Sequence, residues 1–588
     1  KNSQRRRWRS TVADTVIREA FLRSPPLASR LRGTMRLRTM PSKSDIGSRS
    51  IFVVLSGDEE SFGASLRQMA GSREVEILSK NELRPRAIFS TLRRLWSRPI
   101  DTFSYFTISA AWQQRRVLLL LISLAAGARR AVILDGQESS TYSWNRIIFR
   151  EVPRTVVEIV TAPLLLLLDN VARTVIDGLC SSGALPPAAY TRGLGSCETW
   201  LYVLQVPASV RLESGTSSHV RGVLEALIET GRDVRVVSYG ELPAMSTCHR
   251  RTEVAWPPIA WFGLFPRLRE RFNNLVWLIR LWRATGQARP DVVYQRHARH
   301  AWAAAAVARL RGIPFVLEFN ESEVRAGVGW NGLARTSDVR RSESFCLRHA
   351  TVVGYISDEL SELTGNGGRT ARRTIVNPNG VDLEHFGSSE AELDGQRLRR
   401  RLGFDTCVVV SFVGTFMPYH GSEVLADAVR LLGSEENVRF LFVGDGCQRT
   451  STARALEAEV GTDRVAFAGR VAYAELPAYL AASDICVAPY VPVPAGAVFV
   501  NSPIKILEYM AAGRATIASD LGQIRRMLGN GAGVLVPPGD ADILADAIRR
   551  LASDAATRAE LGAAARREVQ QYSWRRHVER VLEALEGI

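Results

Sequence analysis

The stretch Ser502-Pro503-Ile504-Lys505-Ile506-Leu507-Glu508-Tyr509-Met510-Ala511-Ala512-Gly513 holds the pair of side chains best spaced for chemistry. Lys505 and Glu508, three residues apart, share one face of a helix. A Lys in the first turn sits at the positive end of the helix dipole, a placement that makes sense when an anion such as a phosphate occupies the helix start. The plainer alternative is that the two residues merely pair with each other on a solvated face. Two further places carry polar groups where a ligand could meet them. His219 follows the Gly/Ser run Ser214-Gly215-Thr216-Ser217-Ser218, and Glu318-Phe319-Asn320 ends an apolar stretch. A lone His after such a run is more often a structural helix-start residue than a cleft group, and it is kept as a candidate.

These residues need elements to hold them. Ser502 as N-cap, Pro503 at the first helical position and Gly513 at the C-terminal cap predict a short helix, with Ile504, Leu507, Met510 and Ala511 as its core face. On either side of it, apolar runs alternate with helical patterns: 408–413, 439–443, 464–467, 485–489, 516–519 and 533–536 are six strands of a doubly wound domain. An earlier set at 200–205, 233–238, 291–294 and 314–318 makes a second such domain. The turn Val376-Asn377-Pro378-Asn379-Gly380-Val381-Asp382 closes it. A third, smaller α/β alternation runs from Ile51 to Asp135. The fold class expected is therefore α/β, with two Rossmann-like domains preceded by a smaller α/β domain. Boundaries fall at 1–50 for a basic amphipathic tail, 51–145 for the small domain and 146–198 for an apolar helical segment and linker. The two larger domains follow at 199–390 and 391–588.

The 588 residues are 46% hydrophobic, enough for several cores. Seven scattered cysteines without a CxxC pair argue against a disulfide framework and a zinc site, and a cytoplasmic setting is expected. The formal charge of +16 is uneven, because residues 1–50 hold thirteen Lys and Arg against three Asp and Glu, an excess of +10. Within that tail Trp8, Val12, Val16 and Ala20 recur at helical spacing among arginines. Such a segment can lie on an anionic membrane surface, possible at the inner face of the cell membrane, or simply stay solvated. No nucleic-acid reader motif accompanies the charge, so no nucleic acid is expected as a partner. Residues 146–180 are apolar but interrupted by Glu158, Pro163, Asp169 and Arg173. That is too broken for a membrane span and leaves open an in-plane membrane helix or a buried interdomain helix.

From about Leu201 to the end the sequence resembles the family 4 retaining glycosyltransferases, whose GT-B fold faces two Rossmann-like domains across a cleft. The segments that carry the resemblance are Gly414…His420-Gly421, Gly444-Asp445-Gly446, Val465-Ala466-Phe467-Ala468-Gly469, the Ser502–Gly513 stretch and Asn377–Asp382. The resemblance implies that Glu508 accepts hydrogen bonds from the ribose of a UDP- or GDP-linked sugar. It implies that Ser502, Pro503, Ile504 and Lys505 hold the distal phosphate, that Gly414 and Thr415 admit the diphosphate, and that Gly469, Arg470 and Val471 meet the base. Gly444 and Asp445 complete the donor side, while His219, Glu318 and Asn320 line the acceptor side as catalytic candidates. His420 would supply a pH-dependent positive charge, so that donor affinity falls as it loses its proton. Thr415 and His420 stand where the family usually has Arg and Lys, and Val500 where it often has a first Glu.

The resemblance further implies a metal-independent transfer of a sugar, with retention, to a lipid-linked or polysaccharide acceptor in cell-envelope glycan synthesis. No cofactor is expected beyond the nucleotide-sugar, and no Asp-x-Asp motif stands in a metal-ligand context. Two other readings remain at this point: a catalytically silent nucleotide-sugar-binding scaffold, suggested by Val500 and the missing Arg/Lys pair, and a nucleotide-sugar epimerase, which would leave the Ser502–Gly513 pattern unexplained.

Overall fold

The computed structural model describes residues 49–54, 75–78, 80–83, 87–96, 99–106, 116–134, 139–183, 185, 198–205, 215–238, 250–253, 268–322, 324, 336–364, 371–433, 435, 437–446, 448–492 and 497–586. The basic segment around Trp8 lies outside them. The chain divides into two compact units, residues 1–167 with 257–269, and residues 168–256 with 270–588.

In the first unit, β-branched and aromatic residues form strands β1 (Arg49–Val54), β2 (Val75–Leu78), β3 (Ile100–Phe106), β4 (Ala128–Leu134) and β5 (Ser139–Ser143). Their order is β2-β1-β3-β4-β5, and β5 runs antiparallel to β4, so the sheet ends in a reversed edge. Helices α1 (Ile88–Leu95) and α2 (Arg116–Ala125) connect the strands. Ile51, Val53, Phe103, Leu120 and Ile133 fill the core, and the buried Tyr105 hydroxyl donates to the Leu119 carbonyl at 2.7 Å.

A short turn of helix, Trp144–Arg146, and a π-helical segment, Ile147–Glu151, lead into α3 (Val152–Ser181), an unbroken helix of 30 residues with Pro163 inside it. The sequence interruptions at Glu158, Asp169 and Arg173 do not break it, because all three are buried along one side.

The second unit holds two parallel sheets. The first runs β12-β11-β10-β9-β6-β7-β8, with β6 (Thr199–Leu204), β7 (Asp233–Ser238), β8 (Arg250–Glu253), β9 (Val292–Arg296), β10 (Phe315–Phe319), β11 (Val352–Tyr355) and β12 (Arg373–Val376). Four of these strands were readable as apolar runs. Strands β8, β11 and β12 were not, being four residues each, with two arginines in β8. Helices α4 (Gly215–Glu229), α5 (Leu268–Ala288), α6 (Ala303–Leu310) and α7 (Thr336–His349) accompany this sheet.

The second sheet runs β15-β14-β13-β16-β17-β18, from β13 (Val408–Val413), β14 (Val438–Val443), β15 (Val465–Gly469), β16 (Ile485–Ala488), β17 (Ala515–Ser519) and β18 (Val534–Val536). Both sheets grow outward from their first strand in two directions, the Rossmann order, so each has a switch point where loops part at the carboxyl edge.

Helices α8 (Ser422–Leu431), α9 (Ile504–Ala511) and α10 (Trp574–Glu586) belong by sequence to the later domain. The last of them returns to the earlier sheet, where Trp574 packs among Trp200, Tyr202, Val220 and Val223. Two glycines make room for its ring: a Cβ at Gly222 would lie 2.3 Å from the indole and one at Gly380 2.6 Å. The turn at Asn377–Asp382 therefore does more than end a domain. The Asn377 side chain donates to the His577 carbonyl at 3.1 Å, and His577 Nδ1 donates to the Pro378 carbonyl at 2.8 Å.

Candidate active site

At the switch point of the later sheet, β13 delivers Gly414 and the connection after β16 delivers α9. Tyr509 fastens the two together, its hydroxyl accepting from the Val413 amide at 2.9 Å and donating to the Val413 carbonyl at 3.2 Å. Helix α9 differs from its sequence reading at the start. Pro503 is the cap residue and makes no side-chain cap bond, because Ser502 faces elsewhere: its hydroxyl accepts from the Asn379 amide at 3.0 Å. Ile506 is buried where Ile504 is only half-buried, and Lys505 through Ala511 are all buried. The solvated Lys505–Glu508 pairing is thereby excluded.

Lys505 is 8% exposed, and among the described residues its Nζ has no hydrogen-bond partner. It lies 4.8 Å from the Phe412 ring centre and 5.0 Å from that of Tyr490, contacts that only partly replace water around an ammonium. Burial therefore pushes its pKa down to about 7, against the pull of Glu508. Glu508 shifts the other way, burial raising it to about 7 against the pull of Lys505. A cation kept dry and unpaired at a helix N-terminus is a site for an anion supplied from outside.

The glycines that the resemblance assigned to the donor side have more specific work. Gly414 has φ +145°, and a Cβ there would stand 2.3 Å from Lys505 Nζ; Gly444 has φ +128°, and its Cβ would stand 1.9 Å from the Gly414 carbonyl. The space at Gly414 is thus occupied by the ammonium, and the space at Gly444 by the Gly414 backbone. Gly414→Ala is expected to displace Lys505 and weaken nucleotide binding by about tenfold or more, roughly 1.4 kcal/mol. Titration calorimetry with UDP and GDP reads this, and parental affinity in the variant would contradict it.

His420 corrects the sequence reading. Its Nδ1 hydrogen-bonds the Thr415 carbonyl and lies 2.9 Å from the Thr415 hydroxyl, and its ring packs edge-on to Tyr490 at 5.1 Å. Burial, then the Lys505 charge, push its pKa down to about 3. Near neutral pH it is an uncharged imidazole, so the pH dependence expected from it passes to Lys505 and Glu508. Thr415 itself is exposed at the rim.

Toward the expected base side, the Gly469 carbonyl accepts from the Gly444 amide at 2.7 Å, Arg470 is exposed and Val471 is half-buried. Asp445 turns back on its own loop, accepting from the Gly446 amide at 2.9 Å. Tyr473 went unnoticed in the sequence. It stacks on His385 at 4.6 Å, lies beneath the Arg221 guanidinium at 4.8 Å, and its pKa is raised by burial and then by Glu508. An aromatic shelf beside the ribose-binding candidate is a signal that only the fold could reveal, since Arg221 comes from α4 in the other sheet's layer.

The catalytic candidates on the acceptor side are drawn together, but inward. Gly215 begins α4 and is not part of an open loop, and His219 lies within that helix. His219 is 1% exposed and Glu318 2%, with His219 Nε2 2.5 Å from the Glu318 carboxylate. Glu318 also accepts from the Tyr294 hydroxyl at 2.8 Å and from the Asn320 amide. His219 Nδ1 lies 2.8 Å from Asn379 Oδ1, and the Asn379 amide group donates to the Ser502 carbonyl at 2.5 Å. A chain of polar contacts thus runs Glu318–His219–Asn379–Ser502, from the carboxyl edge of one sheet to the start of α9 on the other. Sequence reasoning found three members and gave Asn379 no role of its own, its turn being read as a domain boundary and as a segment of the family resemblance. Val500, where a first Glu was expected, offers its carbonyl to the Ser357 hydroxyl at 2.8 Å.

The sequence profile described as Glycosyl transferases group 1 matches residues 407–554, and that of the Glycosyl transferase 4-like domain matches residues 214–380. The chain is 30% identical over 271 residues to a GDP-mannose-dependent alpha-(1-6)-phosphatidylinositol monomannoside mannosyltransferase of Mycobacterium tuberculosis, covering 45% of this chain and 68% of that protein. It is 28% identical over 350 residues to the 2-deoxystreptamine glucosyltransferase of Streptomyces kanamyceticus, covering 56% and 88% of the two chains. Among solved structures, sucrose-phosphate synthase from Thermosynechococcus elongatus superposes with a TM-score of 0.53 at 20% identity, over 66% of this chain and 98% of that one. Anabaena HepE in complex with UDP and glucose gives 0.52 at 19%, over 66% and 100%. These two likenesses establish the fold.

Proposed function

The chain belongs to the family 4 glycosyltransferases and has their GT-B fold, and from that premise we propose that it moves a sugar, with retention, from a UDP- or GDP-linked donor to a hydroxyl of a lipid-linked or polysaccharide acceptor. The observation that carries the donor half is the dry, unpaired Lys505 ammonium at the start of α9, with Glu508 one turn on. In this reading the distal phosphate docks on Lys505 and the α9 amides, and Glu508 accepts from the ribose hydroxyls. As the acceptor hydroxyl attacks the anomeric carbon, negative charge builds on the leaving diphosphate. Lys505 and the helix dipole, already oriented, stabilise that charge more than they stabilise the bound donor. The solved relative bound to UDP and glucose, and mannosyltransferases named for GDP-mannose and phosphatidylinositol acceptors, support a nucleotide-sugar donor and a lipid or glycan acceptor.

The test is a panel of UDP- and GDP-sugars scored for transfer and for slow hydrolysis to free nucleotide. One base and one sugar class should stand out. Glu508→Gln should weaken binding of the preferred nucleotide by about 1.5–3 kcal/mol, the value of a charge-assisted hydrogen bond. Binding without turnover of any donor would reject transfer and leave a nucleotide-sugar-binding scaffold.

A further inference from the structure

Helix α3 has its polarity turned inside out. From Val156 to Leu179, about 36 Å of helix, the exposed positions are Val, Ile, Leu and Pro, with Thr174 and Gly178 and no charge; Val160 is 69% exposed. Glu158, Asp169 and Arg173 are buried instead. Asp169 pairs with Arg271 of α5 and accepts from the Trp302 indole at 3.1 Å, while Asp177 meets Arg348 at 2.6 Å and His349 at 2.7 Å. Water is the wrong solvent for the outer strip, which exceeds the isolated apolar residues of an ordinary surface.

Just before the strip, Trp144 and Phe149 are exposed beside the exposed Arg146 and Arg150. Within the second unit, α5, tied to α3 through Arg271–Asp169, exposes Ile279 and Trp282 beside Arg280 and Arg283. Exposed aromatics interleaved with arginines are the composition of a lipid headgroup boundary. We propose that α3 is a monotopic membrane anchor, its outer strip lying in the plane of an anionic phospholipid surface. The segment from Trp144 to Ser181, 38 residues, is long and apolar enough to cross a bilayer. It does not cross in this fold, because crossing would carry the Asp169–Arg271 pair, Trp302 and the sheet they flank into hydrocarbon. The anchor stands apart from the transfer reaction: substitutions on the strip touch no residue of the site, so its failure leaves the donor reading intact.

The test uses the full chain and vesicles of phosphatidylcholine with and without phosphatidylglycerol. The chain should pellet with the anionic vesicles, less at high salt but not to zero, since salt screens the arginines and not the apolar strip. Alkaline carbonate should release it. Val160→Glu/Leu164→Glu, and separately Val171→Glu/Val175→Glu, should each cut the bound fraction at least tenfold while leaving the thermal melt and donor turnover unchanged. Failure to pellet, or resistance to carbonate as a spanning protein would show, overturns the proposal. So does lipid-free dimerisation that the same substitutions abolish, which would make a second copy the occupant.

Discussion

Replacing Lys505 with Met is expected to lower kcat/KM for the nucleotide-sugar by about 100- to 1000-fold, the loss seen when one preorganised charge-stabilising group is removed, while raising the melting temperature of the ligand-free chain. The two effects have one cause. A buried ammonium without a hydrogen-bond partner costs folding free energy, and Met fills much the same volume without the charge. The pH behaviour comes from the two shifts. Lys505 falls from 10.5 to about 7 in the folded chain, so the unfolded chain holds more protons across that window, and this group's contribution to stability rises with pH from about 7 to 10.5. Glu508 rises from 4.5 to about 7, so the folded chain holds more protons there, and its contribution falls as pH climbs through that window. The pair therefore weighs on the ligand-free fold most heavily near neutral pH.

Nucleotide reverses both shifts. A diphosphate favours the charged Lys505, and ribose hydroxyls donating to Glu508 favour the carboxylate. Affinity should peak near neutral pH and fall by up to about tenfold per unit on either side. Lys505→Met should lose the alkaline limb, Glu508→Gln the acid limb, and His420→Ala neither, since that imidazole is already neutral above pH of about 3. Calorimetry across pH 5.5 to 9, in buffers of different ionisation enthalpy, measures both limbs; a profile unchanged by either substitution would reject the pair as the donor's anchor.

That α9 would be short, that Lys505 and Glu508 would share its face, and that six strands would build the sheet behind it were all legible in the sequence. Each rests on local signals: cap residues, helical spacing and runs of β-branched residues. What was not legible arises from long-range contact. Nothing near Gly414 in the chain says that an ammonium 91 positions later fills the place of its missing Cβ. His420 looked like a charge because an exposed histidine titrates near neutrality, and only packing against Lys505 and Tyr490 moves it away. Helix α3 was misjudged for a related reason. Its charges were counted as interruptions of an apolar run, whereas the fold buries them, Asp169 against Arg271 and Trp302, and leaves the run whole on the outside. The return of α10 to the earlier sheet is announced in sequence only by the glycines at 222 and 380, which carry no sign of what they make room for.

The largest stability effect is expected at Glu318. Its carboxylate is 2% exposed and serves three partners at once, the His219 ring at 2.5 Å, the Tyr294 hydroxyl at 2.8 Å and the Asn320 amide. Although burial alone would raise its pKa, the charge and hydrogen bond of His219 hold it well below the ordinary carboxylate range. A depressed carboxylate contributes stability above its unfolded pKa of about 4.5 and loses it as pH falls toward the folded value, so acid unfolding should begin below pH of about 4.5. Glu318→Leu strands an imidazole, a phenol and an amide in a dry site and should cost about 3–5 kcal/mol. Glu318→Gln keeps the shape and one acceptor oxygen and should cost less, while flattening the acid limb of the stability curve. Because His219 hands the contact on through Asn379 to Ser502, Glu318→Gln should also raise KM for the donor more than it lowers kcat, the mark of a residue that positions the phosphate loop and takes no part in the chemical step. Denaturant melts between pH 3 and 7, set beside donor kinetics at neutral pH, separate the two roles. If Glu318→Gln kept its stability and KM but lost kcat, the buried pair would instead be acting on the reacting atoms.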